Sequence, residues 1–348
     1  MVADIVFGAV EAVSANAAVL PLRRSRRATS VAFSLAADGG TVALLSMYDS
    51  IRIWVVQREV PNALELWGSE YSQGLWWNKQ MTAQDVLARN FTQLHVSGNP
   101  LILPNVWDAA SARIVASAGA PAIATTSGGV SWALGFGDGE RLPRELALES
   151  VARIVRVAGV PVTADIEAGF GVTAADVAES VSEFIGVGAV GINLEDSLRP
   201  INEQIERVEA ARSAADNSGV PMFINARIDT HRLPAIDDSL WLDETIQRAR
   251  AYAAAGASGI FVLGSLRPAT IQTLVRTLDR PVNVAFGPGT LSIRELAAAG
   301  ASRISAGSSI AEAAYGSVSQ AATAMLSAAT TVVEPPALSY SDLNRIIG

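Results

Sequence analysis

The stretch Val160-Pro161-Val162-Thr163-Ala164-Asp165-Ile166-Glu167-Ala168-Gly169-Phe170-Gly171 decides the fold, together with its counterpart Gly188-Ala189-Val190-Gly191-Ile192-Asn193-Leu194-Glu195-Asp196-Ser197. Each holds a short, near-continuous apolar run, the pattern of a strand buried on both faces of a parallel sheet. Each run ends abruptly in carboxylates. An amphipathic segment separates the two, and Gly188 stands where a helix needs a left-handed residue to end before the chain turns back into a strand.

The same unit recurs on both sides. Apolar runs at Leu101–Pro104, Ala122–Thr125, Val160–Ala164, Gly191–Leu194, Met222–Asn225, Gly259–Leu263, Val282–Ala285 and Arg303–Ala306 give eight candidate strands, with alanine-rich segments between them. Gly119, Gly188, Gly256 and Gly300 each precede a strand in an equivalent Gly-Ala step. Eight strand–helix units predict an α/β protein of the (β/α)8 barrel type rather than an open doubly wound sheet. Residues 81–331 are the expected barrel, near the typical length of about 250 residues. A natural first helix begins at Met81. No Gly-x-Gly-x-x-Gly opens a helix after the first strand, and there is no P-loop lysine.

Residues 1–80 read differently. They hold Trp54, Trp67, Trp76 and Trp77, the chain's single lysine, Lys79, and the arginine cluster Arg23, Arg24, Arg26 and Arg27. Strands at Thr41–Ser46 and Ile51–Val56 are expected, without a strand–helix rhythm. The segment is expected to be an atypical extension with no stable fold of its own, disordered or not native, whose removal leaves a folded barrel; a small accessory module and a targeting segment are the alternatives. Residues 332–348 are expected to form a linker and a short helix that docks on a neighbouring subunit.

Composition removes several kinds of chemistry. Among 348 residues there is no cysteine, which excludes disulfides, thiolate nucleophiles, iron–sulfur clusters and cysteine zinc sites. His95 and His231 are too few for a multi-histidine centre, and Lys79 lies outside the barrel. A net charge of −8 argues against nucleic-acid partners. No free apolar stretch of about 18 residues marks a membrane span. The expectation is a cytoplasmic enzyme working with Asp, Glu, Arg, hydroxyls, backbone N–H groups and a hard metal.

In such a barrel the active site lies at the C-terminal ends of the strands. There the sequence places Asn105-Val106-Trp107-Asp108, then Thr125-Thr126-Ser127-Gly128-Gly129 with Asp138 further along, then Asp165 and Glu167, then Glu195-Asp196-Ser197, then Asn225-Ala226-Arg227-Ile228-Asp229, and Asn283. Acidic groups crowded at one end of adjacent strands repel unless a cation joins them. Mg²⁺, with Mn²⁺ as a substitute, suits oxygen ligands at Asp165, Glu167 and Glu195, directly or through water. It would polarise a 2-oxo acid and stabilise an enolate. Arg227 suits a substrate carboxylate, as do Ser127 and the Gly128 N–H, and Asn283 completes the expected substrate set. Asp108 reads equally as a helix cap and as a site residue, while Asp196 reads as a buttress.

Together these runs resemble the isocitrate lyase/phosphoenolpyruvate mutase superfamily, over roughly residues 85–330. The resemblance implies a (β/α)8 barrel, Mg²⁺, an enolate intermediate and a homotetramer or homodimer with exchanged C-terminal helices. It implies that Asp165, Glu167 and Glu195 surround the metal, that Ser127, Gly128 and Arg227 surround the substrate, and that Asp138 lies close by. The departures are specific. The Lys-Lys-Cys-Gly-His loop of the isocitrate and methylisocitrate lyases is missing. Arg199 and Asn202 stand nearest to the mutases' gating lysine and asparagine, and Leu263 stands where the mutases carry histidine. The expected function is Mg²⁺-dependent C–C cleavage of a small 2-oxo or 2-hydroxy di- or tricarboxylate, with Asp138, Arg227 and Glu195 catalytic. The alternatives are P–C chemistry on phosphonopyruvate and a non-catalytic barrel that binds a carboxylate.

Overall fold

The computed structural model describes residues 82–233, 238–327 and 338–348, and four strands between residues 18 and 57. The chain divides into two units, Met1–Lys79 and Gln80–Gly348. In the first, β1 (Ala18–Pro21), β2 (Val31–Ala37), β3 (Gly40–Met47) and β4 (Ser50–Gln57) form an antiparallel sheet in sequence order. The strands expected at Thr41–Ser46 and Ile51–Val56 fall inside β3 and β4. The arginine cluster and Trp67, Trp76 and Trp77 lie outside the described residues.

The second unit is the (β/α)8 barrel. Its strands are β5 (Leu101–Leu103) with β6 (Asn105–Val106), β7 (Ile123–Thr125), β8 (Val162–Asp165), β9 (Gly191–Glu195), β10 (Phe223–Ile228), β11 (Gly259–Val262), β12 (Val282–Ala285) and β13 (Arg303–Ser305). All pairings in this sheet are parallel. The nine segments occupy eight strand positions. Pro104 has no N–H to give a ladder, and it splits the first strand. The part before it pairs with β13, Leu101 opposite Arg303; the part after it pairs with β7, Val106 opposite Thr125. That one strand closes the ring.

Helices cover the outside: α1 (Ala83–Gln93), α2 (Ala109–Ser117), α3 (Ser127–Ala133), α4 (Arg144–Ala158), α5 (Ala174–Gly186), α6 (Ile201–Ser218), α7 (Asp238–Ala254), α8 (Pro268–Thr277), α9 (Ile293–Ala298), α10 (Ser309–Leu326) and α11 (Tyr340–Ile347). Gly119, Gly188, Gly256 and Gly300 have φ between +94° and +106°, as a left-handed helix exit demands. Reciprocal capping boxes start α1 (Thr82 with Asp85), α2 (Asp108 with Ser111) and α5 (Thr173 with Asp176). The C-terminal helix α11 lies on α2 of its own chain, where Arg113 Nε donates to the Ile346 carbonyl at 3.1 Å.

The barrel interior is layered. At its N-terminal end Phe91, His95 and Phe223 form a plug, His95 stacked on Phe223 with ring centroids 4.0 Å apart and Phe91 edge-on to both. Gly259 must be glycine here, because a Cβ would come within 2.7 Å of Phe223 Cζ. Further in lies a polar network. Asn225 Nδ2 donates to Asn193 Oδ1 at 2.9 Å and to Asn283 Oδ1 at 3.1 Å, and Arg303 Nη2 donates to Asn193 Oδ1 at 3.1 Å. Arg303 is 0% exposed. The strand pairing sets Asn193 opposite Asp165, so this network reaches towards the carboxylates at the other end.

Candidate active site

Two adjacent strands deliver the carboxylates, and the next brings an arginine. Asp165 ends β8, Glu167 follows two residues later, and Glu195 ends β9. Arg227 on β10 stands opposite Glu195 in the sheet. Its Nη2 lies 2.6 Å from Glu195 Oε2, and its Nε lies 2.9 Å from Asp229 Oδ1. The side chain therefore pairs with both neighbouring carboxylates at once. Ser197 Oγ donates to the other Glu195 oxygen at 2.6 Å. The Ser127 N–H, in the first turn of α3, points at Asp165 Oδ2 from 3.4 Å, and the Glu167 N–H donates to Asp165 Oδ1 at 3.3 Å. Glu167 in turn accepts from the Glu140 N–H.

The electrostatics of the group are one-sided. Burial raises the pKa of Asp165, and the Arg227 charge pulls it down less than burial pushes it up. Burial pushes Glu167 up to about 7; the Glu140 N–H opposes this, while Asp165, Asp138 and Glu195 add to it. Burial disfavours the Arg227 cation, but Glu195, Asp229 and Asp165 outweigh it and hold the guanidinium charged. Negative charge thus exceeds the positive charge that the chain itself provides. Asp138 sits exposed on the glycine-rich loop after α3, within electrostatic reach of Asp165 and Glu167.

This imbalance is what a cation would relieve, and the donors are the hard oxygens that a divalent ion such as Mg²⁺ takes. Among the described residues no three His, Asp or Glu side chains enclose a metal position. Both Glu195 oxygens and one Glu167 oxygen already accept from protein donors, and both Asp165 oxygens face main-chain N–H groups at 3.3–3.4 Å. The donor set therefore fits an ion held through few direct carboxylate bonds, with water completing the shell.

Other expected residues sit elsewhere. Asn283 is buried in the interior network, where its Nδ2 faces the Val284 carbonyl at 3.0 Å and Ser305 Oγ at 3.1 Å, so the structure does not bring it to the carboxylates. Asp108 caps α2, accepting from the Ser111 N–H at 2.7 Å. Asp196 is a fully buried hub: its oxygens accept from the N–H groups of Leu198 and Asp229, from Arg248 Nη1 at 3.0 Å and from Tyr252 Oη at 2.9 Å. Sequence reading missed Arg248 and Tyr252, which lie on a helix face far along the chain. It also missed Thr125, whose Oγ1 accepts from the Asp165 N–H at 2.8 Å, and Glu140. The strand-end position of Thr125 was the available signal.

Comparison with known proteins bears on this geometry. The phosphoenolpyruvate phosphomutase family model matches residues 91–326. The chain belongs to that family. As a phosphomutase-family barrel it falls within the isocitrate lyase/phosphoenolpyruvate mutase superfamily. It is 45% identical to a candidate phosphonomutase of Burkholderia cenocepacia J2315, with a TM-score of 0.67 over 69% of this chain and 98% of that one. It is 34% identical to the 2-methylisocitrate lyase of Escherichia coli K12, over 47% of this chain and 57% of that protein. It is 32% identical to oxaloacetate decarboxylase 1 of Pseudomonas fluorescens Pf0-1, over 53% of this chain and 65% of that protein. In this phosphomutase-family barrel the connection after Ser197 is short: α6 begins at Ile201. Among the described residues the backbone is left-handed at five non-glycine positions, Glu140, Glu167, Phe170, Ser197 and Leu198, all on loops around these carboxylates.

Proposed function

We propose that this protein is a divalent-metal-dependent lyase that cleaves a C–C bond of a small 2-oxo or 2-hydroxy di- or tricarboxylate through an enolate. The observation that carries this reading is the cluster of Asp165, Glu167 and Glu195, buried and short of positive charge, beside Arg227 at the strand ends. The named lyase and decarboxylase relatives support the same reaction class.

Asp165, Glu167 and Glu195 would hold Mg²⁺, which when bound supplies Lewis-acid polarisation of the substrate carbonyl. The Ser127 hydroxyl and the Gly128 N–H, at the start of α3, receive a substrate carboxylate at a positive helix end. Arg227 has its Nη2 and Nε held by Glu195 and Asp229 and would offer its remaining Nη1 to the same anion. In this reading Asp138 would exchange a proton with the carbon that cleavage leaves electron-rich, which its electrostatic reach to Asp165 and Glu167 supports. With oxaloacetate, the bond between C3 and the departing carboxylate breaks. Its electron pair stays on C3, CO₂ leaves, and a proton then added at C3 gives pyruvate. This route needs no strong base, which suits a barrel with neither cysteine nor lysine. Exposed apolar residues on α10, among them Val318, Met325 and Leu326, support a homo-oligomer. No helix among the described residues is long and apolar enough to cross a membrane, and the reading places the enzyme in the cytoplasm.

The test is product release from oxaloacetate, methylisocitrate, isocitrate and phosphonopyruvate, with Mg²⁺ and with EDTA. Magnesium-dependent pyruvate from oxaloacetate, or from methylisocitrate together with succinate, is the expected result. Asp165→Ala should abolish turnover, a loss of at least about 100-fold, in a folded protein; unchanged turnover refutes the assignment. The second reading, P–C chemistry, is favoured by the similarity to the candidate phosphonomutase, and it predicts either isomerisation of phosphonopyruvate to phosphoenolpyruvate or, for a hydrolase, release of phosphate and pyruvate. A barrel that only binds a carboxylate predicts ligand-induced thermal stabilisation without any product.

A further inference from the structure

Glu140 joins two active-site loops in a way that the chemistry above does not use. It lies on the loop between α3 and α4, two residues after Asp138 and next to Gly139. Its N–H donates to Glu167 Oε2. Its own carboxylate accepts from the Phe170 N–H at 2.7 Å. Main chain and side chain of one residue thus grip both parts of the Asp165–Gly171 loop.

The backbone at this joint is unusual. Glu140, Glu167 and Phe170 have φ of 55°, 50° and 52°. A left-handed conformation is disfavoured for a non-glycine residue, so it persists only where surrounding contacts demand it. Arg207, from α6, fixes the far side of the gripped loop by donating to the carbonyls of Ala168 at 3.0 Å, Gly171 at 2.9 Å and Val172 at 2.6 Å. On the Asp138 side the loop is tied back to α3 by the Gly135 N–H, which donates to the Trp132 carbonyl at 3.1 Å, and by the Phe136 N–H, which donates to the Ser131 carbonyl at 2.9 Å, and Gly137 and Gly139 flank Asp138 itself. Beside the joint a cavity of about 630 Å³, lined by Glu140, Leu142, Phe170, Arg199 and Arg207 among others, leaves open space for the loop to swing into if released.

We propose that Glu140 is a positioning residue that latches the Asp138 loop to the Glu167 loop, fixing the Glu167 carboxylate and the place of Asp138 together. The inference rests on the lyase reading for its kinetic consequence, but the latch itself is a statement about structure.

Three variants of the full chain separate the contributions. Glu140→Gln keeps an oxygen acceptor for the Phe170 N–H. Glu140→Gly accepts the left-handed backbone without cost but removes the tether. Glu140→Ala removes the tether and keeps the strain. Hydrogen exchange of residues 135–143 and 168–172 reads the latch directly and needs no substrate. Glu140→Gly and Glu140→Ala should speed exchange in both segments at least about tenfold while leaving the strand cores unchanged, and Glu140→Gln should stay near wild type. On the substrate that the product screen identifies, the same two variants should lose about tenfold or more in kcat. They should also bind Mg²⁺ more weakly by calorimetry, with Glu140→Gln restoring both. Wild-type exchange in Glu140→Gly and Glu140→Ala overturns the latch. A wild-type protein that neither binds Mg²⁺ nor turns over any substrate overturns the lyase reading instead, and the exchange experiment still decides the latch.

Discussion

At the scale of the residue, position along a strand separates the groups that could be read from those that could not. Asp165, Glu195 and Arg227 stand where an apolar run stops, so parallel-sheet geometry alone sends them to one end of the barrel. Asn283 stands one residue into its run rather than at its end, and its amide is consumed by the interior network. Glu140 owes its place to a left-handed φ in an exposed loop, which residue type does not announce. His95 carries a prediction of its own. Burial, with the nearby Arg303 charge, lowers its pKa to about 3, and its contact with the Phe91 carbonyl only partly opposes this. In the unfolded chain it takes up a proton near pH 6.5, whereas in the fold it stays neutral. Stability is therefore lost as pH falls below about 6.5, by about 2 kcal/mol on going from pH 7.5 to 5. His95→Gln should flatten that part of the dependence. Chemical denaturation at the two pH values checks it, and an unchanged difference between them contradicts it.

At the scale of the element, each of the eight expected runs holds a strand, and the Gly-Ala steps end helices as expected. Buried parallel strands and left-handed glycine exits are local signals, so they survive reading without the fold. Helix α3 is the contrary case. Its sequence, Ser127-Gly128-Gly129-Val130-Ser131-Trp132-Ala133, is poor in helix formers, and tertiary packing imposes the turn: a Cβ at Gly129 would meet Trp107 Cβ at 2.8 Å. The capping geometry supports the cap reading of Asp108. Asp108→Ala should cost about 1 kcal/mol of stability through the lost box on α2 and leave kcat within about twofold. Thermal denaturation and steady-state kinetics on one preparation test both halves of that statement.

At the scale of the whole molecule, the chain divides between Lys79 and Gln80. Recognising the barrel from its repeats did not require residues 1–80 at all, which is why the antiparallel order of β1–β4 was not foreseen beyond two of its strands. The other feature beyond sequence reading is α10. It leaves Val318 64%, Met325 80% and Leu326 88% exposed, an apolar face without cover from the described residues. A self-associating surface predicts that Val318→Asp lowers the mass measured by light scattering across a concentration series, while the barrel keeps its far-ultraviolet circular dichroism. An unchanged mass removes α10 from the interface.

The split first strand has a consequence for how the molecule is made. Among the described residues, Leu101–Leu103 pairs only with Arg303–Ser305, about two hundred residues later in the chain. During synthesis this edge has nothing to pair with until nearly the whole barrel has left the ribosome. Pairing over such a separation is slow to form, and an open strand edge is a template for another copy. Nascent chains that stop short of Arg303 are then the species most prone to aggregate, and chaperones that shield partly made barrels would act on this protein in the interval before its last strand arrives.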